Sequence, residues 1–484
     1  MLTLADLFQA ITNTRPFAAE RTAISQVVID SRQVMPGALF VALKGETLDG
    51  HAFISDALAR GAVAVIAESR AQAGTGLGPN VHWIDTTQPS VAGLQLSPFP
   101  LVPIVFIAPS SLLALQQLAG FWRRKFECQV VGVTGSVGKS STKELIAAVL
   151  RQHYRTLKSE GNLNNEIGLP LTVLQLNESH ERAVLEMGMY ALGEIKTLCE
   201  IAQPRIGVVT NVGPVHLERL GTLENIARAK AELIDALPDD GVAILNGDDV
   251  QVLAMKSRTR ARVVSYGLNA QADVFAEAIV THGLYGIEFT LYYGGEKFRV
   301  HSPLIGRHSV YTALAAIAVG WTEGLSWDEM ALGLSDLSAQ LRLRKIETPG
   351  GATILDDTYN SSPASALAAL EVLAELRGRK IAVLGDMLEL GAEELRGHQT
   401  VGARAAQIVD VLIVVGKRGK WIGEAARDAG LSEKEILFAD NNAQAIELLR
   451  GMIRANDQIL IKGSRGAKME EIVSAITRMN EEKR

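Results

Sequence analysis

Short apolar runs recur along this chain, and between them lie stretches whose apolar positions fall three and four residues apart. In the N-terminal part the runs Val27 to Ile29, Leu39 to Ala42 and Ala62 to Ala67 surround one helical stretch, Ala52 to Arg60. This predicts a small α/β domain. Further on, Leu112 to Phe126 reads as a helix. Buried-type strands at Val130 to Val133, Ala183 to Glu186, Ile206 to Thr210 and Val242 to Leu245 then alternate with helical segments. Such alternation predicts a mostly parallel sheet with helices on its faces. Ile287 to Val300 breaks the pattern, because Phe289, Leu291 and Tyr293 alternate around Gly294-Gly295 as in a hairpin. An antiparallel addition to the central sheet is therefore expected. Past Leu337 the alternation resumes with Ala352 to Leu355, Ile381 to Leu384, Val411 to Val415 and Ile459 to Ile461, separated by helices such as Ala364 to Leu376. The expected fold is α/β in three domains: 1–108, a central P-loop ATPase-type domain over 109–336, and a Rossmann-like domain over 337–484.

Val91 to Leu115 is apolar enough to raise the question of a membrane span. Pro98, Pro100, Pro103 and Pro109 interrupt it, and each proline removes a helix donor and clashes with the preceding turn. The stretch is read as an extended linker or edge segment marking the first domain boundary. With 484 residues, 47% of them hydrophobic and 21% charged, the chain is too long for one core and ordinary for a globular protein of several domains. Its formal net charge of -6 argues against a nucleic-acid partner, since no basic face dominates. Cys128 and Cys199 lie far apart in apolar surroundings, as buried thiols do in a reducing compartment. Met1 to Thr12 has no basic segment followed by an apolar core. The expected location is the cytoplasm.

The chemistry concentrates where the run Cys128 to Val133 meets the helical segment beginning near Ser140. Gly132 to Lys143 reads Gly-Val-Thr-Gly-Ser-Val-Gly-Lys-Ser-Ser-Thr-Lys. Small residues there let backbone N–H groups wrap phosphate oxygens, the following helix points its positive end at them, and Lys139 adds a charge. Ser140 and Ser141 offer hydroxyls to a magnesium ion. The loop is a variant, because the common pattern has glycine where Val133 stands.

Other polar residues follow predicted strands, where α/β sheets place their ligand-binding groups. Glu186 ends one strand and is suited to hold magnesium. His216 follows another. Asp356-Asp357 closes a third, ahead of the polar turn Tyr359-Asn360-Ser361-Ser362-Pro363, which suits a ribose or cation contact or an N-cap. Lys462-Gly463-Ser464-Arg465-Gly466 follows a fourth and opens a helix, an arrangement able to bind a second anion such as a carboxylate.

Taken in order, these segments resemble the Mur ligase family of ATP-dependent amide-forming enzymes over nearly the whole chain. Asp30-Ser31-Arg32-Gln33-Val34-Met35-Pro36-Gly37 and Asp49-Gly50-His51 look like its uridine-nucleotide-binding domain. Thr134 to Ser141 resembles its phosphate loop. Gly161-Asn162-Leu163-Asn164-Asn165-Glu166-Ile167-Gly168, Glu186-Met187-Gly188 and Asn211 through His216-Leu217-Glu218 match its central domain, and Lys230 falls where the family carries a carbamylated lysine. Asp356 to Asn360, Gly385-Asp386-Met387-Leu388-Glu389-Leu390-Gly391 and Lys462 to Gly466 match its C-terminal domain.

The resemblance implies that ATP phosphorylates the terminal carboxylate of a UDP-N-acetylmuramoyl tripeptide and that the amine of D-alanyl-D-alanine attacks the acyl phosphate, in peptidoglycan precursor synthesis. It implies catalytic roles for Lys139, His216 and Lys230. ATP contacts would come from Thr134, Gly135, Ser136, Val137, Gly138, Lys139, Ser140 and Ser141, with His308, Arg342 and Asp357. Two magnesium ions would be held by Ser140 or Ser141 with Glu186, and by His216 with the carbamate on Lys230. Substrate contacts fall to Ser31, Arg32, His51, Asn162, Asn165, Tyr359, Asn360 and Arg465. A monomer acting on small molecules, without stable membrane insertion, is implied.

Two departures stand out. Ser309 and Thr312 occupy positions where the family usually has asparagine, one of which commonly meets adenine, and a hydroxyl cannot reproduce an amide's donor and acceptor. The proline-rich stretch near 89–103 looks longer than the family's usual link. Three other readings remain open: a family member acting on another carboxylate, a nucleotide-binding regulator without ligation, and a simple kinase, which would leave the first domain without a purpose.

Overall fold

The computed structural model describes residues 1–45, 48–70, 81–88, 100, 102–215, 217–336 and 343–478. Expectations resting on His216, Arg342, Glu481 to Arg484 and most of the proline-rich stretch lie outside the described residues. By contact density the described chain forms two compact units. One comprises Met1–Gly132, Arg155–Gly188 and Glu194–Pro204, the other Val133–Tyr154, Met189–Gly193 and Arg205–Arg484.

The first unit contains a parallel sheet of β1 (Val27–Val28), β2 (Leu39–Val41), β3 (Ala64–Ala67), β4 (His82–Asp85) and β5 (Ile104–Ile107). Their spatial order is β1-β2-β3-β5-β4. The stretch read as a linker or edge segment thus contributes an interior strand. The reason lies in where the prolines fall: Pro103 precedes β5 and Pro109 follows it, so all four N–H groups of Ile104 to Ile107 stay available to the ladder. All four side chains are buried, which stabilises the sheet by about 1.5–3 kcal/mol per residue.

The helix Leu4–Thr12 is not announced as a separate element by the sequence pattern. It begins with a capping box between Thr3 and Asp6, and Asp6 continues as a buried acid that accepts from Arg15 Nη1 at 2.8 Å and from Lys125 Nζ. Burial alone would raise the Asp6 carboxyl, but the bonds from Lys125, Arg15 and Thr3 together outweigh it and hold its pKa down to about 2. A carboxylate whose folded pKa is depressed stabilises the fold above its unfolded value and loses that contribution as pH falls through the folded value. Asp6→Asn is therefore expected to cost about 1–3 kcal/mol at neutral pH. Urea midpoints measured down the pH scale should show the gap from wild type closing between about pH 4 and pH 2; a gap that persists unchanged would contradict the assignment.

The second sheet contains β6 (Gln129–Thr134), β7 (Thr156–Lys158), β8 (Arg182–Glu186), β9 (Ile206–Val209), β10 (Val242–Asn246), β11 (Arg262–Gly267), β12 (Val274–Thr281), β13 (Ile287–Tyr293) and β14 (Glu296–Ser302). The order runs β14-β13-β12-β11-β10-β9-β6 in the second unit and β6-β8-β7 in the first, β6 belonging to both. Neighbours from β9 to β12 are parallel, whereas β12-β13-β14 is an antiparallel meander turning at Gly294-Gly295, as the alternation predicts.

The C-terminal sheet contains β15 (Arg344–Glu347), β16 (Thr353–Asp357), β17 (Lys380–Gly385), β18 (Val411–Val415), β19 (Ile436–Ala439) and β20 (Gln458–Lys462) in the order β15-β16-β20-β17-β18-β19. All its pairs are parallel except β15 with β16. Both faces are covered, so the strands inside the edge strand β15 feed two cores at period two. In β18, Leu412 and Val414 enter one core, and Val411, Ile413 and Val415 the other. The first core also takes in Ile305 and packs Leu284, residues from the central part of the chain.

Candidate functional site

The expected phosphate loop joins β6 to the helix Lys139–Leu150. A second segment, the turn after β9, is stitched to it. Ser136 N–H donates to the Asn211 carbonyl at 2.9 Å and Val137 N–H to Asn211 Oδ1 at 2.9 Å, while Asn211 Nδ2 and Thr210 Oγ1 both donate to the Val137 carbonyl. Ser136 Oγ donates to the Gly213 carbonyl and accepts from its N–H. Ser136 and Val137 thus give the loop its shape through groups already committed to protein. The helix starts on Gly138, at φ +87, without a side-chain cap, so its first-turn N–H groups suit an anion. Gly135 is demanded by space: a Cβ there would lie 1.9 Å from Thr210 Oγ1. Lys139 reaches back over the loop, donating to the Gly135 carbonyl at 2.7 Å and the Ser136 carbonyl at 3.3 Å.

Lys230 sits on the helix Leu223–Asp235 and is 2% exposed. Burial, and after it the charge of Lys139, hold its amine well below the ordinary lysine value. Among the described residues it forms no ion pair. A neutral amine is the form that adds carbon dioxide, and a carbamate would replace the repulsion from Lys139 with attraction. Within the first unit, Glu186 is also buried. Its N–H donates to Ser159 Oγ, Asn164 Nδ2 donates to its Oε1 at 2.8 Å, and its Oε2 has no hydrogen-bond partner among the described residues. A buried carboxylate oxygen without a donor is costly unless a cation meets it. The Glu186 carboxylate suits a magnesium ion, and Lys230 would do so only as its carbamate. Among the described residues no three acidic, histidine or cysteine side chains cluster as a ready-made metal site.

At the carboxyl ends of β16 and β20, Asp357 and Lys462 are register partners. Their buried side chains form an ion pair at 2.5 Å, and Lys462 Nζ also donates to the Asn360 carbonyl at 2.9 Å. Arg465 lies 5.1 Å over the Tyr359 ring, and Ser464 Oγ accepts from Leu388 N–H. His308 belongs to the same group. Although the residue as a whole is exposed, desolvation of its ring lowers its pKa, with Asp357 acting to raise it and Lys462 to lower it. Asp357, Tyr359, Asn360, Lys462 and Arg465 thus lie together at the ends of these strands, with His308 within electrostatic reach of Asp357 and Lys462.

Other expectations are redistributed. His51 is 2% exposed. Its Nδ1 pairs with Asp49 Oδ1 at 2.6 Å and its Nε2 accepts from Glu68 N–H at 3.0 Å, so both nitrogens hold the scaffold and neither faces a substrate. Ser31 is buried and bonded to Asp56, whereas Arg32 is exposed and forked onto Asp30. Asn162 is exposed. Asn165 Oδ1 accepts from the Ile167 and Gly168 N–H groups at the entry to the helix Gly168–Val173. Ser309 Oγ donates to the Ile305 carbonyl at 2.7 Å, and Thr312 is buried on the same helix. Asn164 and Asn211 do not stand out by residue type, although each lies within a segment that resembles the family, whereas Lys462 opens the segment expected to bind a second anion.

Comparison with known proteins gives this geometry its family. The Mur ligase middle domain matches residues 133–320, the Mur ligase glutamate ligase domain 341–465, and the Mur ligase family catalytic domain 23–91. UDP-N-acetylmuramoyl-tripeptide–D-alanyl-D-alanine ligase of Bacillus subtilis is 37% identical over 458 residues, 94% of this chain and 93% of that one. The chain belongs to the Mur ligase family. Among solved Mur ligases, a crystal structure of MurF from Acinetobacter baumannii superposes with a TM-score of 0.82 at 29% identity, covering 99% of both chains. MurF ligase from Thermotoga maritima, solved with ADP, gives a TM-score of 0.77 at 28% identity, covering 96% of this chain and 99% of that one.

Proposed function

We infer that this Mur ligase joins D-alanyl-D-alanine to a UDP-N-acetylmuramoyl tripeptide, consuming ATP and releasing ADP and phosphate in peptidoglycan precursor synthesis. The observation that carries the reading is the buried Lys230 amine within reach of the Lys139 charge, on a phosphate loop shaped by Asn211, in a chain whose relatives of that activity match it nearly end to end. A simple kinase would have no use for the N-terminal sheet.

The residues account for the steps. Phosphoryl transfer from ATP to a carboxylate brings two anions together, so catalysis is chiefly positioning and charge neutralisation. The first-turn N–H groups and Lys139 would hold the phosphates. Magnesium, when bound, would neutralise phosphate charge and polarise the transferring group. Ser140 or Ser141 with Glu186 would hold one ion, and His216 with carbamylated Lys230 the other. The dipeptide amine then attacks the acyl carbon, forming the amide as the C–O bond to phosphate breaks and phosphate and a proton are released, and the Arg465–Tyr359 pair offers a guanidinium to a substrate carboxylate. With its pKa lowered, His308 is neutral at physiological pH and contacts ATP by hydrogen bonding. Arg342 and Asp357 complete the nucleotide contacts, and Arg32, Asn162 and Asn360 contact the UDP-peptide. The enzyme acts as a monomer in the cytoplasm, with domain boundaries near 108 and 336; among the described residues no helix is long and apolar enough to cross a membrane.

Mass spectrometry of the nucleotide-peptide product tests the reading. The product should have the mass of tripeptide plus dipeptide less one water. A product formed only with a free amino acid would assign the chain to another Mur-type ligase, and no product despite ATP binding would make it a regulator.

A further inference from the structure

The roles given to His216 and Lys230 require the chain between them to be held in place. After residue 216 comes a one-turn helix, Leu217–Leu220, and Thr222 then caps the helix that carries Lys230. Two other segments grip that single turn. Arg219 lies 4.8 Å over the Tyr190 ring, and the loop carrying Tyr190 is tied back by Gly193 N–H to Glu232 Oε1 at 2.6 Å, two residues from Lys230. The second grip comes from the C-terminal domain, whose turn Gly391–Glu393 lies against the same helix. A Cβ on Gly391 would be 2.9 Å from the Glu218 nitrogen and 3.2 Å from its Cα. Both atoms are backbone, so neither can swing aside as a side chain would.

The turn is rigid within its own domain. Glu389 and Gly391 both have left-handed backbones, at φ 65 and 55. Leu390 is buried. Met387 N–H donates to the buried His398 Nε2 at 3.0 Å, and Leu388 N–H to Ser464 Oγ at 2.9 Å. Ser464 lies between Lys462 and Arg465, so the turn is fastened to the strand-end cluster.

We propose that Gly391 is a positioning residue of the ligase: its bare backbone registers the one-turn helix, and through it the helix carrying Lys230, against the cluster at Asp357, Lys462 and Arg465. The proposal rests on the ligase reading. A methyl group at 391 would wedge the turn away from residues 217–218 and shift one set of reacting groups relative to the other, while leaving the phosphate loop untouched. Misplacement of about 1 Å at a reacting centre can cost about 10²-fold in rate.

Gly430 supplies the control, since it has φ +102 but a Cβ placed there would meet no heavy atom within 4 Å. An alanine at 430 carries backbone strain without a contact. Gly391→Ala is expected to lower kcat about tenfold or more and to weaken Mn²⁺ binding to the ADP complex, with the ADP Kd within about twofold of wild type. Gly430→Ala should keep kcat within about twofold. Arg219→Ala, an exposed change on the other grip, should lower kcat without raising the KM of the UDP-tripeptide. Equal kcat for folded Gly391→Ala and Gly430→Ala would overturn the proposal. Should Gly391→Ala not fold, Arg219→Ala decides: unchanged kcat, or an effect confined to KM, overturns it. Failure of the ligase reading itself would show earlier, as wild-type enzyme that forms no product.

Discussion

Replacing Lys139 by alanine is expected to cut dipeptide-dependent phosphate release by roughly 10³-fold, the scale on which loss of a phosphate-neutralising cation acts in phosphoryl transfer. The fold should survive. Lys139 is not part of the packed core, and its amine donates to the Gly135 and Ser136 carbonyls of its own loop, which water can satisfy in its absence. The loop's shape comes from Thr210, Asn211 and Gly213, and Gly135 is packed against Thr210 with or without the lysine. The melting temperature should therefore stay within roughly 4 °C of wild type. A folded Lys139→Ala enzyme with full turnover would remove the loop from the mechanism.

The second large effect is expected at Lys230. Its pKa is lowered well below the ordinary lysine value, by burial first and by Lys139 next, so the neutral, nucleophilic amine is populated at lower pH than for a solvated lysine. Carbamylation follows that neutral fraction: raising pH increases it, and lowering pH through the shifted pKa removes it. Lys230→Ala should lower kcat by roughly 10²-fold or more, as loss of a metal-holding group in a charge-neutralising site does. Formate or acetate should restore part of that activity by placing a carboxylate where the carbamate stood. Wild-type enzyme stripped of carbon dioxide at mildly acidic pH should lose activity and regain it with bicarbonate. Full activity of Lys230→Ala, with no response to short acids, would mean that the lysine is only packed.

Much of this architecture can be read from the chain because parallel strands buried on both faces show as uninterrupted apolar runs. Val411 to Val415 begins and ends where the pattern places it, and Ile287 to Tyr293 announces its hairpin by alternation and paired glycines. The strands that escape such a reading are short or half-buried. His82–Asp85 and Thr156–Lys158 carry mixed residues whose strand state depends on the neighbour supplied. Ile104–Ile107 is obscured by prolines that flank it without entering it.

The site divides in the same way. The phosphate loop is contiguous, so its chemistry stands in one line of sequence. Lys462 has its role set by Asp357, 105 positions away, and Asn164 by Glu186, 22 positions away. His51 shows the converse, since its motif suggests a ligand contact but both its ring nitrogens are spent on Asp49 and Glu68. Residue type and spacing do not reveal which side of a turn faces solvent.

The most direct test is phosphate release from ATP and magnesium, measured with the UDP-N-acetylmuramoyl tripeptide alone, with D-alanyl-D-alanine alone, and with both. Sustained release only when both are present is the expected result. Release that is indifferent to the dipeptide, or absent with both substrates, would contradict the assignment of this chain as a D-alanyl-D-alanine-adding ligase.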